Sequence, residues 1–222
     1  MFIHGLLETS KVNGPGNRSV VWLQGCRLNC SGCWNKETHP EMAGKVMTPE
    51  ELAGWIVNQV ENHRIEGVTF SGGEPMHQAV AVLEVIFALR ERGYYWLSFG
   101  MYTGYTPEEL RRGRFYSHYE PAADPREYPK AGYGKEQHRL ARMSTWRQLQ
   151  PRLDFAVMGR YYKLHPDYSR PLCSSKNQEL VLFSKRYQLS DFAPQQTEVT
   201  IEDDDALVTI TGFPPEGMIN HA

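Results

Sequence analysis

Three of the four cysteines fall within eight residues, Cys26-Arg27-Leu28-Asn29-Cys30-Ser31-Gly32-Cys33, and no second cysteine cluster occurs in the 222-residue chain. Three thiolates suit an iron-sulfur cubane held at three corners, whose fourth iron keeps one position open to a small molecule. Structural zinc wants four ligands, usually in two pairs. Cys173 or His39 would complete such a set, so the motif alone leaves zinc open. A disulfide framework is disfavoured, because three clustered thiols cannot pair off and no secretory signal precedes them.

The length suits one domain with a sizeable core. A net charge of -2 gives no electrostatic footprint for nucleic acid. Met1 to Ser10 lacks the basic start and apolar run of an export signal, and no stretch approaches the roughly 20 apolar residues of a membrane span. A cytoplasmic protein is therefore expected, in a compartment where thiols stay reduced.

Residues 11 to 18, Lys-Val-Asn-Gly-Pro-Gly-Asn-Arg, form a turn leading into Ser19 to Gln24, an apolar run that reads as a buried strand. Thr48, Pro49 and Glu51 announce a capped helix, and Leu52, Trp55, Ile56 and Val60 recur at helical spacing as its packed face. Gly67 to Phe70 is a strand, followed at once by Ser71-Gly72-Gly73-Glu74-Pro75. Paired glycines at a strand's carboxyl end let backbone approach a ligand closely, and such strand ends are where α/β sheets bind small molecules. A helix over 77 to 92, a strand over Tyr94 to Gly100, and a second capped helix from Thr106 follow. Leu153 to Met158 and Leu180 to Tyr187 read as further strands.

The Cys-x3-Cys-x2-Cys spacing closed by Trp34-Asn35 resembles the cluster loop of the radical S-adenosylmethionine enzymes, and most of all that of the activating proteins of anaerobic ribonucleotide reductase. Asn13-Gly-Pro-Gly-x-Arg18 is similar to the entry turn of glycyl-radical activating enzymes, with Asn13 where Asp is usual. Gly72-Gly73-Glu74, Tyr102-Thr-Gly-Tyr-Thr106 and Ser174-Ser-Lys-Asn-Gln178 continue the likeness, with Cys173 and Lys176 departing from it. The resemblance covers most of residues 11 to 112 and 153 to 180. It implies that Cys26, Cys30 and Cys33 hold a 4Fe-4S cluster and that Gly72, Gly73 and Glu74 bind the methionine end of S-adenosylmethionine. Asn35, Tyr102 and Asn177 are the further cofactor-binding candidates, and no catalytic side chain is assigned beyond the cluster. It further implies one-electron cleavage of the sulfonium to a 5'-deoxyadenosyl radical, which takes hydrogen from a substrate carbon. Cys173 is expected to be a buried, reduced thiol, since a fourth ligand would close the open iron.

Alternating strands and helices predict parallel βαβ units, and with the resemblance an incomplete, open α/β barrel. The expected core is residues 1 to 187, with an insertion at about 113 to 150, rich in Tyr, Arg, His and Pro, as the carrier of substrate specificity. His138 to Leu149 is expected as a short helix within it. Residues 188 to 222 form an extension with a β-hairpin around Asp203-Asp204-Asp205, which reads as a solvated turn rather than a calcium loop. The expected partners are a polypeptide substrate, either a glycyl-radical enzyme such as anaerobic ribonucleotide reductase or a ribosomally made precursor peptide, and an external one-electron donor. A zinc-stabilised interaction module is the reading outside enzymology.

Overall fold

The computed structural model describes residues 1–118, 135–192, 194, 196–202 and 207–213. The chain opens with strand β1 (Phe2–Ser10), for which its sequence has no clear alternation, and turns into β2 (Arg18–Leu23). A two-residue strand β3 (Lys45–Val46) precedes helix α1 (Pro49–His63). The expected capping box forms: Glu51 N–H donates to Thr48 Oγ1 at 3.1 Å while Thr48 N–H donates to the Glu51 carboxylate at 2.7 Å. Strand β4 (Gly67–Gly72) and helix α2 (Ala79–Glu91) follow. A tight turn, Pro75–Gln78, delays α2, because Glu74 caps it by accepting from Met76 N–H.

Strand β5 (Ser98–Thr103) starts later than the sequence suggests. The Arg90 guanidinium binds the Tyr94 and Leu97 carbonyls at 2.6 and 3.1 Å, holding Tyr94 to Leu97 as a turn. Helices α3 (Pro107–Arg111) and α4 (Lys135–Leu149) then lead to β6 (Phe155–Met158) and β7 (Glu179–Leu182). The helix expected over His138 to Leu149 thus exists and begins earlier. Most of the remaining insertion, residues 119–134, lies outside the described residues, as do the Asp203-Asp204-Asp205 turn and the tail beyond Phe213.

Seven strands form one sheet in the order β3-β1-β2-β4-β5-β6-β7. The expectation of parallel βαβ units holds for its centre, where β2, β4, β5 and β6 run parallel. It fails at the margins: β1 and β3 pair antiparallel on one side and β7 on the other. β1 turns into β2 through residues 11–17, too few for the crossover a parallel pair needs, and β7 returns from β6 through residues 159–178, which hold no helix. The result is a mixed α/β fold around a parallel core.

Side chains alternate across these strands. Val21, Leu23, Val68, Phe70, Phe99 and Met101 face α1 and α2 and make the main core. On the other face Phe155 and Val157 pack with Leu172, Cys173 and Phe192. At the amino ends of the parallel strands lies Arg18, wholly buried. Its guanidinium donates to the Pro15 and Val68 carbonyls and to the Thr69 and Ser98 hydroxyls, and stacks 5.1 Å from the centre of the Phe155 ring. This closes the floor and leaves the carboxyl ends of the strands as the open side.

The predicted C-terminal hairpin forms from β8 (Thr197–Glu202) and β9 (Leu207–Gly212), paired antiparallel. It is tied to the turn after β1, where the Asn13 amide donates to Ser10 Oγ at 2.8 Å and Thr211 Oγ1 at 2.9 Å.

Candidate active site

The segments that leave the carboxyl ends of β2, β4, β5 and β6 line one cavity of about 720 Å³. Cys26, Cys30 and Cys33 stand on its wall, and none of the four cysteines is in a disulfide. The loop that carries them folds tightly. Asn29 adopts a left-handed φ of 47°, and Cys33 N–H donates back to the Cys30 carbonyl at 3.1 Å. Its far end returns alongside its start, with Gly25 and Cys26 N–H donating to the Thr38 and His39 carbonyls at 2.7 and 3.1 Å.

Burial pushes all three thiols up, Cys26 to about 12, because a thiolate loses its hydration there. Against that, a main-chain N–H is aimed at each sulfur, from Leu28 at Cys26, Tyr161 at Cys30 and Asn35 at Cys33. Buried thiols already supplied with N–H donors lack only a compensating positive charge, which bound iron provides. The donor set therefore fits a cluster, and bonds to its sulfurs are one of the means by which a protein sets a cluster's potential.

Beside this loop, Gly72 and Gly73 meet the end of β2 itself. A Cβ at Gly73 would lie 2.5 Å from the Gly25 carbonyl oxygen, and one at Gly72 2.6 Å from Leu23 N. Gly73 N–H donates to the Leu23 carbonyl at 2.7 Å and Glu74 N–H to the Gly25 carbonyl at 3.0 Å. The glycines are thus required by backbone meeting backbone, as well as by any ligand. Glu74 is 1% exposed. Its Oε1 accepts from Met76 N–H and Thr103 Oγ1, and its Oε2 from Gly104 N–H at 2.7 Å. Burial nevertheless outweighs these donors and raises its pKa to about 7. One acceptor site remains on Oε2, since a carboxylate has about four.

Of the other sequence candidates, Asn35 and Tyr102 line the cavity. Tyr102 does so while packing against the Phe155 and Cys173 cluster, and burial drives its phenol upward. Asn177 is not brought to the cavity; its exposed side chain donates to the Arg160 carbonyl at 2.6 Å. The neighbouring Gln178 lines the wall instead, accepting from Ser174 and Ser175 N–H and donating to the Gly159 carbonyl. Cys173 is buried away from the cavity lining. His39 does line it, and its buried Nε2 has no partner among the described residues. Sequence reasoning missed Thr103 and Gly104, which hold Glu74, and the wall made by Val208 to Phe213 of the hairpin. Asn13 was the available signal for that wall: an amide in place of a carboxylate supplies the donor that Thr211 accepts from.

A family model described as a 4Fe-4S single cluster domain matches residues 12–123. The chain is 34% identical over 117 residues to an anaerobic ribonucleoside-triphosphate reductase-activating protein of Vibrio cholerae, covering 50% of this chain and 72% of that one. It is 38% identical over 93 residues to a pyruvate formate-lyase-activating enzyme of Clostridium pasteurianum, covering 41% of this chain. A putative glycyl-radical enzyme activating enzyme of Haemophilus influenzae matches at 39% over 93 residues. The chain spans only 39% and 35% of the lengths of these last two relatives. Among solved structures, QueE from Escherichia coli aligns with a TM-score of 0.33 and 20% identity over 46% of this chain and 50% of that one, too slight a likeness to carry an argument. The chain belongs to the single-cluster 4Fe-4S family, in its radical S-adenosylmethionine activase group, and the cofactors of that group are the cluster and S-adenosylmethionine. Among the described residues no helix is long and apolar enough to cross a membrane.

Proposed function

We propose that this chain is a radical S-adenosylmethionine enzyme acting on a polypeptide, and that it generates a glycyl radical on a partner such as an anaerobic ribonucleotide reductase. One observation carries the reading: the three-cysteine loop and the Gly-Gly-Glu loop open onto the same cavity and are hydrogen-bonded to each other through Leu23 and Gly25. Relatives named as activating enzymes of ribonucleotide reductase and of pyruvate formate-lyase support it.

Cys26, Cys30 and Cys33 would hold the cluster, leaving one iron without a protein ligand. When bound, the cluster and S-adenosylmethionine supply one electron and a carbon-centred radical able to take hydrogen from a C-H bond. Gly72, Gly73 and Glu74 would receive the cofactor's ammonium, with the remaining acceptor site on Glu74 Oε2 the fitting partner for a cation. Asn35 and Tyr102 would bound the pocket, and Asn177 would act on it only through the Arg160 carbonyl. The protein's work is placement and exclusion of water.

In this reading residues 1 to 187 are the catalytic core and the parallel strands an arc of an open barrel, its mouth wide enough for a polypeptide segment. On the same reading the insertion at 113 to 150 carries substrate specificity, Val208 to Phe213 of the extension wall the cavity, and an external donor in the cytoplasm supplies the electron. Replacing Cys26, Cys30 or Cys33 with Ala is expected to abolish reductive cleavage of S-adenosylmethionine, whereas Cys173→Ala retains it. Equal loss from Cys173→Ala would show the ligand count to be wrong. Incubation with the partner reductase is expected to leave a persistent protein radical in electron paramagnetic resonance. A permanent mass change in a short peptide, without that signal, would replace activation by peptide modification.

A further inference from the structure

A second constellation lies outside the cavity lining, packed against Gly25, the residue before the first cluster cysteine. One ring nitrogen each of His77 and His118 and one carboxylate oxygen of Glu41 all lie within 4.8 Å of one another. The three come from separate stretches: the return of the cysteine loop, the turn after the Gly-Gly-Glu loop, and the segment after α3. His118 Nε2 and Glu41 Oε1 are 3.4 Å apart. Two ligand atoms about 2.05 Å from a tetrahedral zinc are separated by roughly 3.3 Å, so this pair is already spaced for a metal.

His77 supplies the independent observation. It is 0% exposed, its Nε2 lies 3.0 Å from the Tyr105 hydroxyl, and its Nδ1 has no hydrogen-bond partner among the described residues. Buried polar atoms are rarely left so, and each one asks for an explanation. In the tautomer that donates Nε2–H to Tyr105, the Nδ1 lone pair is bare. The tyrosine is itself held, because its hydroxyl accepts from Tyr116 N–H at 3.1 Å. His118 N–H donates to the His77 carbonyl at 2.7 Å, fixing the two residues' backbones together. Such outer partners orient ligating imidazoles at metal sites.

The charge state agrees. His77 is pushed down to about 3 by burial and by the neighbouring His118 and Arg27, and burial also lowers His118 against the pull of Glu41. Neutral imidazole is the form that binds metals. The competing cation is Arg27, whose guanidinium holds both Glu41 oxygens at 2.5 and 2.6 Å and lies 3.8 Å from the centre of the Tyr116 ring. A carboxylate has about four acceptor sites, so the fork leaves Glu41 able to bind a metal with Arg27 as its outer partner.

We propose that Glu41, His77 and His118 form a binding site for a divalent first-row cation of the zinc type, which staples the return of the cysteine loop to the turn after Gly-Gly-Glu and to the segment after α3. Two imidazoles and one carboxylate select this class over magnesium or calcium, which prefer oxygen alone.

The test uses zinc ion itself in competition with a chromophoric chelator. The variant with Cys26→Ser, Cys30→Ser and Cys33→Ser has no cluster, so its result is independent of the radical chemistry. It is expected to retain one zinc per chain, and adding His118→Ala is expected to weaken that binding by more than the roughly 10- to 100-fold lost with an outer-shell partner. No retained zinc in a triple variant whose circular dichroism matches the parent, or equal retention after His118→Ala, overturns the site and leaves an ion-pair network only. Should the triple variant not fold, the iron-reconstituted protein serves with His118→Ala alone. There, loss of one zinc equivalent supports the site and no difference overturns it.

Discussion

Glu74 is held by three donors that favour its ionised form, yet it is almost wholly buried, and burial raises its pKa to about 7. Against an ordinary value of 4.5 the native state binds the extra proton. Its contribution to stability is therefore full below about pH 4.5 and is lost as pH rises toward 7, with a slope of at most about 1.4 kcal/mol per pH unit. Denaturant unfolding of the cluster-free protein across that window should show this decline, and Glu74→Gln should flatten it. An unchanged slope in Glu74→Gln would mean that another group titrates there. That substitution should also cost roughly 1–3 kcal/mol, because an amide turns an N–H toward groups that already donate. The residue's importance was legible from Gly72-Gly73-Glu74 as a motif. Its saturation was not, since two of its donors, Thr103 and Gly104, come from 29 and 30 residues away.

Among the elements, the starts of α1 and α3 were legible to the residue because a capping box is local chemistry: Thr48 with Glu51, and Thr106 with Glu109. Strand β1 was not, since its register shifts at Ile3/Gly5 and at Leu7/Ser10 break the alternation by which a strand is recognised. Hairpin β8–β9 was legible as a pair of β-rich runs, but its seat was not, because Asn13 and Thr211 are 198 residues apart. That contact predicts a local effect. Thr211→Val keeps the shape and removes the acceptor, which at about 1 kcal/mol for a buried hydrogen bond should speed amide exchange in β8 and β9 roughly fivefold. The parallel strands should be unaffected; uniform acceleration across the sheet would mean that the hairpin is part of the main cooperative unit.

For the whole molecule, the fold places every loop at the carboxyl ends of four parallel strands around one cavity, with Arg18 and Phe155 closing the opposite end. The cavity's chemistry was legible because its cysteines and glycines are contiguous in the chain. The Glu41, His77 and His118 constellation was not, being assembled from three distant stretches. If the cluster's open iron is the anchor for S-adenosylmethionine, the cofactor should stabilise only the cluster-loaded protein. At about 100 times its Kd the gain is about 2.7 kcal/mol, readable as an anaerobic rise in Tm. An equal rise in cluster-free protein would show that the cavity walls alone hold the cofactor.

The seam between the cysteine loop and the Gly-Gly-Glu loop is made of main-chain atoms, Gly73 and Glu74 N–H against the carbonyls of Leu23 and Gly25. The bonds themselves carry no side chain, so the spacing of the two halves answers chiefly to Gly72 and Gly73, where any added Cβ would strike the backbone opposite. A chain built this way is expected to accommodate a different substrate by substitution elsewhere around the cavity, with the spacing of the two loops kept as a unit.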